Sequence, residues 1–290
     1  MRDFAPPFAL AQPPLLPKNE ILFYEAFWAK TLGVTLKKLA EGLQGRLPSA
    51  IKDSIPSGLR NDVEAFLVDS GVHKYNVLLR ETIDYPSKLN VLDIPLLYYH
   101  GDLGLIGTRC VSVVGARKST LNGLNAAKMI ANTLSKSEFT IVSGLAAGID
   151  TAAHTETIGC GGKTIGVIGT PLNQVYPKEN IKLQEEIGRN HLLLSHVPFY
   201  KYSKQDFRIN KGFFPERNKI MAALSEATII VEASDTSGSL IQAREAMRIG
   251  KIVVILKPSY DNQQLTWPKH YVKKGALVAE KASDIREMLG

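Results

Sequence analysis

Four turns carry the residues of this chain best suited to chemistry, and that chemistry is the binding of an anion. They are GARKST (Gly115 to Thr120) after VSVV, SGLAAG (Ser143 to Gly148) after FTIV, GTPLN (Gly169 to Asn173) after TIGVI, and EASDTSGS (Glu232 to Ser239) after ATIIV. Small residues let backbone N–H groups approach a phosphate, and the helix that follows such a turn adds its positive end. Arg117 and Lys118 stand in the first turn beside Gly115 and Ser119, where a guanidinium fork and an ammonium can grip a phosphate. Ser143 and Gly144 in the second turn, with Ser237 and Gly238 in the fourth, offer further polar or close-approach positions. After the third strand, YPKENIK contributes Lys178, Asn180 and Lys182.

These turns match neither common nucleotide fingerprint. The first has Gly115 and Gly123 but not the three glycines of G-x-G-x-x-G, and no glycine loop runs into a Gly-Lys-Ser/Thr triplet. Nor does a nucleophile–base set emerge. There is no G-x-S-x-G elbow, and Asp150 and His154, four apart after the second turn, read as a helix-start carboxylate near a histidine. The six histidines show no metal-ligand spacing, and Cys110 and Cys160 read as separate free thiols. No catalytic residue, metal or cofactor is expected.

A second feature turns the anion into a polymer. Val197 to Lys219 reads VPFYKYSKQDFRINKGFFPERNK, with six Lys or Arg against two acids and aromatic residues between them. Cations that track a backbone and rings that stack on bases are what a single-stranded nucleic acid groove needs. Arg217, Asn218 and Lys219 are the expected backbone grip, and Phe199, Tyr200, Phe207 and Phe213 the candidates for stacking.

The elements that must position these residues are strands and helices in alternation. Strands are predicted at 111–114, 140–143, 164–168, 192–195, 228–231 and 252–256, with helices at 122–136, 148–159, 179–188, 217–225 and 239–249 between them. Strands rich in β-branched residues and without alternating polarity predict a parallel sheet covered on both faces. The fold class is therefore α/β, a Rossmann-like, doubly wound, mainly parallel sheet at 83–290 with its core at 110–257 and a short C-terminal extension. Before it, residues 1–18 read as a Pro-rich extended lead and 19–82 as a small helical module. In that module Asn19 and Thr35 are expected helix caps, and Gly33 and Gly71 expected stops.

Composition narrows the class further. The chain has 290 residues, 44% of them hydrophobic, and a net charge of +7, a modest excess that favours an acidic partner. No apolar run approaches the ~18 residues of a membrane span. Prolines at 6, 7, 13, 14 and 17 break any signal-peptide core, so a cytoplasmic protein is expected.

At this point the motifs resemble a known family. YPSKL, YYHGD, VSVVGARKSTLNG, IVSGLAAGIDTAAH, TIGVIGTPLNQVYPKEN, FFPERNKIMAALS and VEASDTSGSLIQAREA follow one another in the order of the DprA/Smf (DNA-processing protein A) family, from about Tyr85 to Leu256. The resemblance implies a dimeric protein that binds single-stranded DNA and hands it to a RecA-type recombinase in natural transformation. It also implies a DNA contact for Arg117 and for Arg217-Asn218-Lys219, where lysine stands for the family's second arginine and keeps charge without the fork. GTPLN departs from the family's Gly-Leu-Gly-like turn, and Ser195-His196-Val197-Pro198 lacks the glutamate of its Ser-Glu-x-Pro. About 30 residues after the last core strand are too few for the winged helix that many members carry. Two other readings compete: a nucleotide-processing enzyme of the phosphoribohydrolase type, whose Gly-Gly-rich turn is missing here, and a nucleotide-sensing module.

Overall fold

The computed structural model describes residues 17–80 and 82–290. The expected Pro-rich lead therefore lies outside the described residues, except Pro17 and Lys18, which already belong to a helix. Three helices come first: α1 (Pro17–Lys30), α2 (Leu36–Leu43) and α3 (Ser57–Asp69). Proline suits the first helical position because its missing N–H has no intrahelical partner there anyway. Helix α1 thus starts two residues before Asn19, the expected cap. Thr35 does cap α2, its hydroxyl accepting from Lys38 N.

The rest alternates as the apolar runs require. After β1 (Asn76–Leu79) and β2 (Leu96–Gly101) come β3 (Cys110–Val114), α4 (Leu121–Lys136), β4 (Thr140–Ser143), α5 (Ile149–Gly159), β5 (Thr164–Val167), α6 (Ile181–Asn190) and β6 (Leu192–Ser195). Two short helices, α7 (Phe199–Lys204) and α8 (Phe207–Asn210), lead into α9 (Phe213–Leu224). Then follow β7 (Ala227–Ile230), α10 (Ser239–Arg248), β8 (Ile252–Leu256), α11 (Lys257–Asp261), α12 (Trp267–Lys273), β9 (Leu277–Ala279) and α13 (Ala282–Leu289). Strand β1 falls in the stretch expected to be helical and joins the sheet instead.

One sheet holds all nine strands described, in the order β1-β2-β6-β5-β4-β3-β7-β8-β9. Strands β6 to β9 pair in parallel, and the antiparallel β2 and β1 extend the β6 edge. Side chains alternate across it. Val111, Val113, Ile141 and Ile229 pack with α4, α5 and α13, while Val114, Val142 and Ile230 face the layer that contains α9 and α10. Burial on both faces is why these strands read as unbroken apolar runs. The parallel strands start at β3, run outward to β6, then return to β7 on β3's other side. The crevice between the C-terminal ends of β3 and β7 is the switch point at which such sheets bind ligands.

The early helices share a core with the sheet. Tyr24, Phe27 and Trp28 of α1 lie in one apolar cluster with Leu96, Tyr98, Phe199 and Phe213.

Candidate functional site

The four turns meet above the sheet. Ala116 N donates to Glu232 O at 2.7 Å, joining the first turn to the fourth. A Cβ on Gly148 would strike the Ala116 and Arg117 carbonyl groups, so the second turn lies directly against the first; its φ of +80° also favours glycine. In the third turn, Gly169 makes room for the Phe214 ring, which a Cβ there would meet at 2.5 Å. Between the first and fourth turns opens a cleft of about 950 Å³, lined in part by Gly115, Arg117, Lys118, Phe214, Ser237 and Gly238.

Its mouth combines charge and rings. The exposed Arg117 guanidinium lies 5.6 Å from the Phe214 ring centroid and 5.9 Å from that of Tyr176. Tyr176 in turn stands 5.6 Å from Phe214 and 5.8 Å from Phe207. Lys211 Nζ sits 5.2 Å from the Phe207 centroid, and both residues line the cleft. Phe207 is 44% exposed and Tyr176 38%, so these ring faces are open to a partner. The patch offers fixed positive charge beside planar apolar surface, the pairing that a phosphate joined to a base requires.

Beneath it lies a buried polar floor. Arg217, 4% exposed, donates from Nη1 to the carbonyls of Gly144 and Val167, the latter at 2.7 Å. Asp150 Oδ2 accepts from Gly144 N at 3.1 Å and Ala146 N at 3.4 Å. Burial lowers the Arg217 guanidinium to about 10, with Asp150 opposing that shift and Arg117 adding to it. Burial likewise raises Asp150, against the pull of Arg217. Arg217 is thus a brace of the turns, with its charge facing protein carbonyls. Asn218 acts similarly, its amide donating to Gly238 O at 3.0 Å to link α9 to the fourth turn.

Several other expected contact residues turn inward. Ser143 is buried and donates to Val113 O at 2.7 Å. Asn180 is buried and bonds Leu145 O and Thr151 Oγ1, both at 2.8 Å, which secures the second turn from below. Lys219 is held by Glu216 at 2.9 Å. Ser237 closes its own turn by accepting from Ser234 N at 2.8 Å, while still lining the cleft. Ser119 is half-buried, Lys178 and Lys182 are exposed, and all three stand outside the cleft lining.

The aromatic expectations divide. Phe207 lines the cleft, but Phe199 and Phe213 are core residues at 2% and 0% exposure, packed on Tyr98 and Trp28 respectively. Half-buried Tyr200 packs edge-on against Phe66, away from the cleft. The rings that the sequence reading missed are Tyr176 and Phe214. In FFPER, the first turn of α9 presents its second phenylalanine to the cleft and its first to Trp28.

Asp150 and His154 form no acid–base pair: His154 Nδ1 is bonded to Thr164 Oγ1 at 2.7 Å inside the core. Cys110 and Cys160 are free thiols, buried and half-buried. Among the described residues no helix is long and apolar enough to cross a membrane, and no cluster of His, Cys, Asp and Glu could hold a metal ion.

Comparison with known proteins agrees with this architecture. A family model described as DNA recombination-mediator protein A matches residues 76–290. The DNA processing protein DprA of Streptococcus pneumoniae is 39% identical over 203 residues, 69% of this chain and 70% of that protein. Its counterpart in Bacillus subtilis is 32% identical over 254 residues, 84% of each chain. Among solved structures, the S. pneumoniae protein superposes with a TM-score of 0.71 at 31% identity, covering 91% of this chain and 97% of that one. DNA processing protein A of Helicobacter pylori, described for its single-stranded DNA binding mode, gives 0.63 at 30% identity, covering 74% and 95%. With a family model spanning the whole sheet and relatives of this identity along most of its length, the chain belongs to the DNA recombination-mediator protein A family.

Proposed function

We propose that the cleft grips single-stranded DNA without catalysis, and that the protein passes the strand to a RecA-type recombinase in transformation, in the cytoplasm and as a homodimer. The observation that carries this reading is the mouth of the cleft, where Arg117 stands within 6 Å of two ring centroids, Phe214 and Tyr176. A phosphate on Arg117 and Lys118 brings its neighbouring bases over Phe214, Tyr176 and Phe207, while Lys211 holds the next phosphate. Rings of this kind require unstacked bases, which a duplex does not offer. The H. pylori relative, described for binding single-stranded DNA, supports the same choice of ligand.

The test is fluorescence anisotropy with a labelled oligo-dT, a matching duplex and a labelled mononucleotide across a salt series. The reading requires the single strand to bind tightest and with a steep salt dependence. Arg117→Ala, Lys211→Ala and Phe214→Ala should each weaken it, because all three side chains line the cleft. Equal affinity for mononucleotide and oligonucleotide would refute it. Light scattering of the purified chain tests the dimer, and stimulation of recombinase filament growth on coated single strands tests the hand-over.

A further inference from the structure

Helices α1 and α2 lie before the region that the family model matches, yet buried charges tie them to the stretch that forms one lip of the cleft. Glu25 of α1 is fully buried. Its Oε1 accepts from Phe199 N at 2.9 Å and Tyr98 Oη at 2.6 Å, and its Oε2 accepts from Tyr200 N at 2.9 Å. The favour is returned from α7. Lys201, 6% exposed, sends Nζ to the carbonyls of Thr31 and Gly33 just past the end of α1, the second at 2.7 Å. A third link follows in α9, where Glu216 Oε2 accepts from Leu36 N at the start of α2, at 2.8 Å.

Two of these links set a carboxylate at the first N–H groups of a helix, Glu25 at α7 and Glu216 at α2, and the third sets an ammonium on carbonyls just past the end of α1. Apolar contacts also span the joint. Trp28 meets Phe213 at 5.9 Å between centroids, and a Cβ on Gly212 would collide with Val34. Apolar packing alone would hold the module with less desolvation cost, and directional bonds from buried charges fix its angle and register. The anchored points, 199–201 and 213–216, bracket the segment that holds Phe207 and Lys211, and the second contains Phe214.

We propose that α1 and α2 act as a brace for the DNA-contacting lip, with Glu25, Lys201 and Glu216 as positioning residues that set where Phe207, Lys211 and Phe214 stand. This inference rests on the single-strand reading of the cleft. Arg117 belongs to the β3–α4 turn, outside the braced segment, and keeps its position when the brace is released.

The experiment uses the full chain with Lys201→Met and Glu25→Gln, each alone and each combined with Phe214→Ala or Arg117→Ala. Oligo-dT anisotropy and backbone amide exchange of the DNA-free protein are both read. In each brace variant the oligonucleotide is expected to bind about five- to thirtyfold more weakly, the order of cost for re-ordering two or three interface side chains. The salt slope falls by no more than the about 0.7 of one phosphate contact, that of Lys211, since neither brace residue itself touches a phosphate. Exchange accelerates in peptides from 202–214 and not in β3 to β5. Phe214→Ala then adds little to a brace variant, whereas Arg117→Ala retains its full effect.

Wild-type affinity and wild-type exchange in both folded variants would overturn the brace, as would a Phe214→Ala effect that remains fully additive. If Lys201→Met fails to fold, the milder Glu25→Gln decides by the same readings. Should the wild-type chain bind no oligonucleotide, the cleft reading fails by itself. Exchange in 202–214 then still decides whether the module orders the lip.

Discussion

Arg217 and Asp150 hold opposite ends of one residue, Gly144: the guanidinium takes its carbonyl and the carboxylate its amide. A side chain on Gly144 would fall onto both of them. The second turn is therefore shaped from below by a buried cation and a buried anion, which leaves its outer surface free for the cleft.

Removing Arg217 should thus act first on stability. Arg217→Ala strands the buried Asp150 carboxylate and two carbonyl groups, a loss of about 2–4 kcal/mol. Urea unfolding measures it. A variant as stable as wild type that had lost DNA binding would make Arg217 a direct DNA contact instead.

Adjacent phenylalanines should fail in different assays. Phe213→Ala empties a fully buried site against Trp28 and should cost about 3–5 kcal/mol of stability. Phe214→Ala should leave the unfolding midpoint nearly unchanged and weaken oligo-dT binding by about 1–3 kcal/mol, the worth of one stacked base. A binding loss at Phe213 with full stability, and none at Phe214, would reverse the assignment.

Acid should destabilise the fold through two histidines. His154 and His196 are fully buried, and burial lowers both from 6.5 to about 3. Among the described residues, neither ring nitrogen of His196 has a hydrogen-bond partner, and His154 Nε2 has none. As pH falls below about 6.5 the unfolded chain takes up these protons and the folded one does not. Stability is then lost toward pH 3 at up to about 1.4 kcal/mol per unit for each histidine. Glu25, raised by burial to about 7, works in the opposite sense: the folded chain takes its proton first, adding stability as pH falls from 7 toward 4.5. Asp150, also raised by burial, adds to the side of Glu25, and His191, lowered by burial, to that of His154 and His196, so between pH 6.5 and 4.5 the decline is flatter in His196→Gln and steeper in Glu25→Gln. Urea midpoints across that range check both signs, and a flat profile in wild type would contradict them.

Much of the sheet was legible in the residues because strands buried on both faces read as apolar runs, and the turns between them carry little but small and polar residues. β1 escaped because NVLL follows three helices and only its last two residues are buried, whereas β4 to β7 are buried throughout. The site was legible as a place rather than as a set of contacts. Arg117 and Arg217 are the same residue type near the same cleft, and only the packing of α9 under the second turn turns one inward. Phe213 and Phe214 differ by about 100° around α9, and Trp28, some 185 residues earlier, decides which of them is core. Ser143 and Asn180 were plausible donors to a phosphate, but the turns spend them on their own carbonyl groups.

Arg117, set among Phe214, Tyr176 and Phe207, is the residue proposed to grip single-stranded DNA. The most direct test is oligo-dT anisotropy of wild type and Arg117→Ala across a salt series, with unfolding midpoints taken in parallel. Loss of one phosphate contact should weaken binding about tenfold or more and reduce the slope of log K against log salt by about 0.7, at unchanged stability. Wild-type affinity and wild-type slope in Arg117→Ala would contradict the claim and move the DNA away from this cleft.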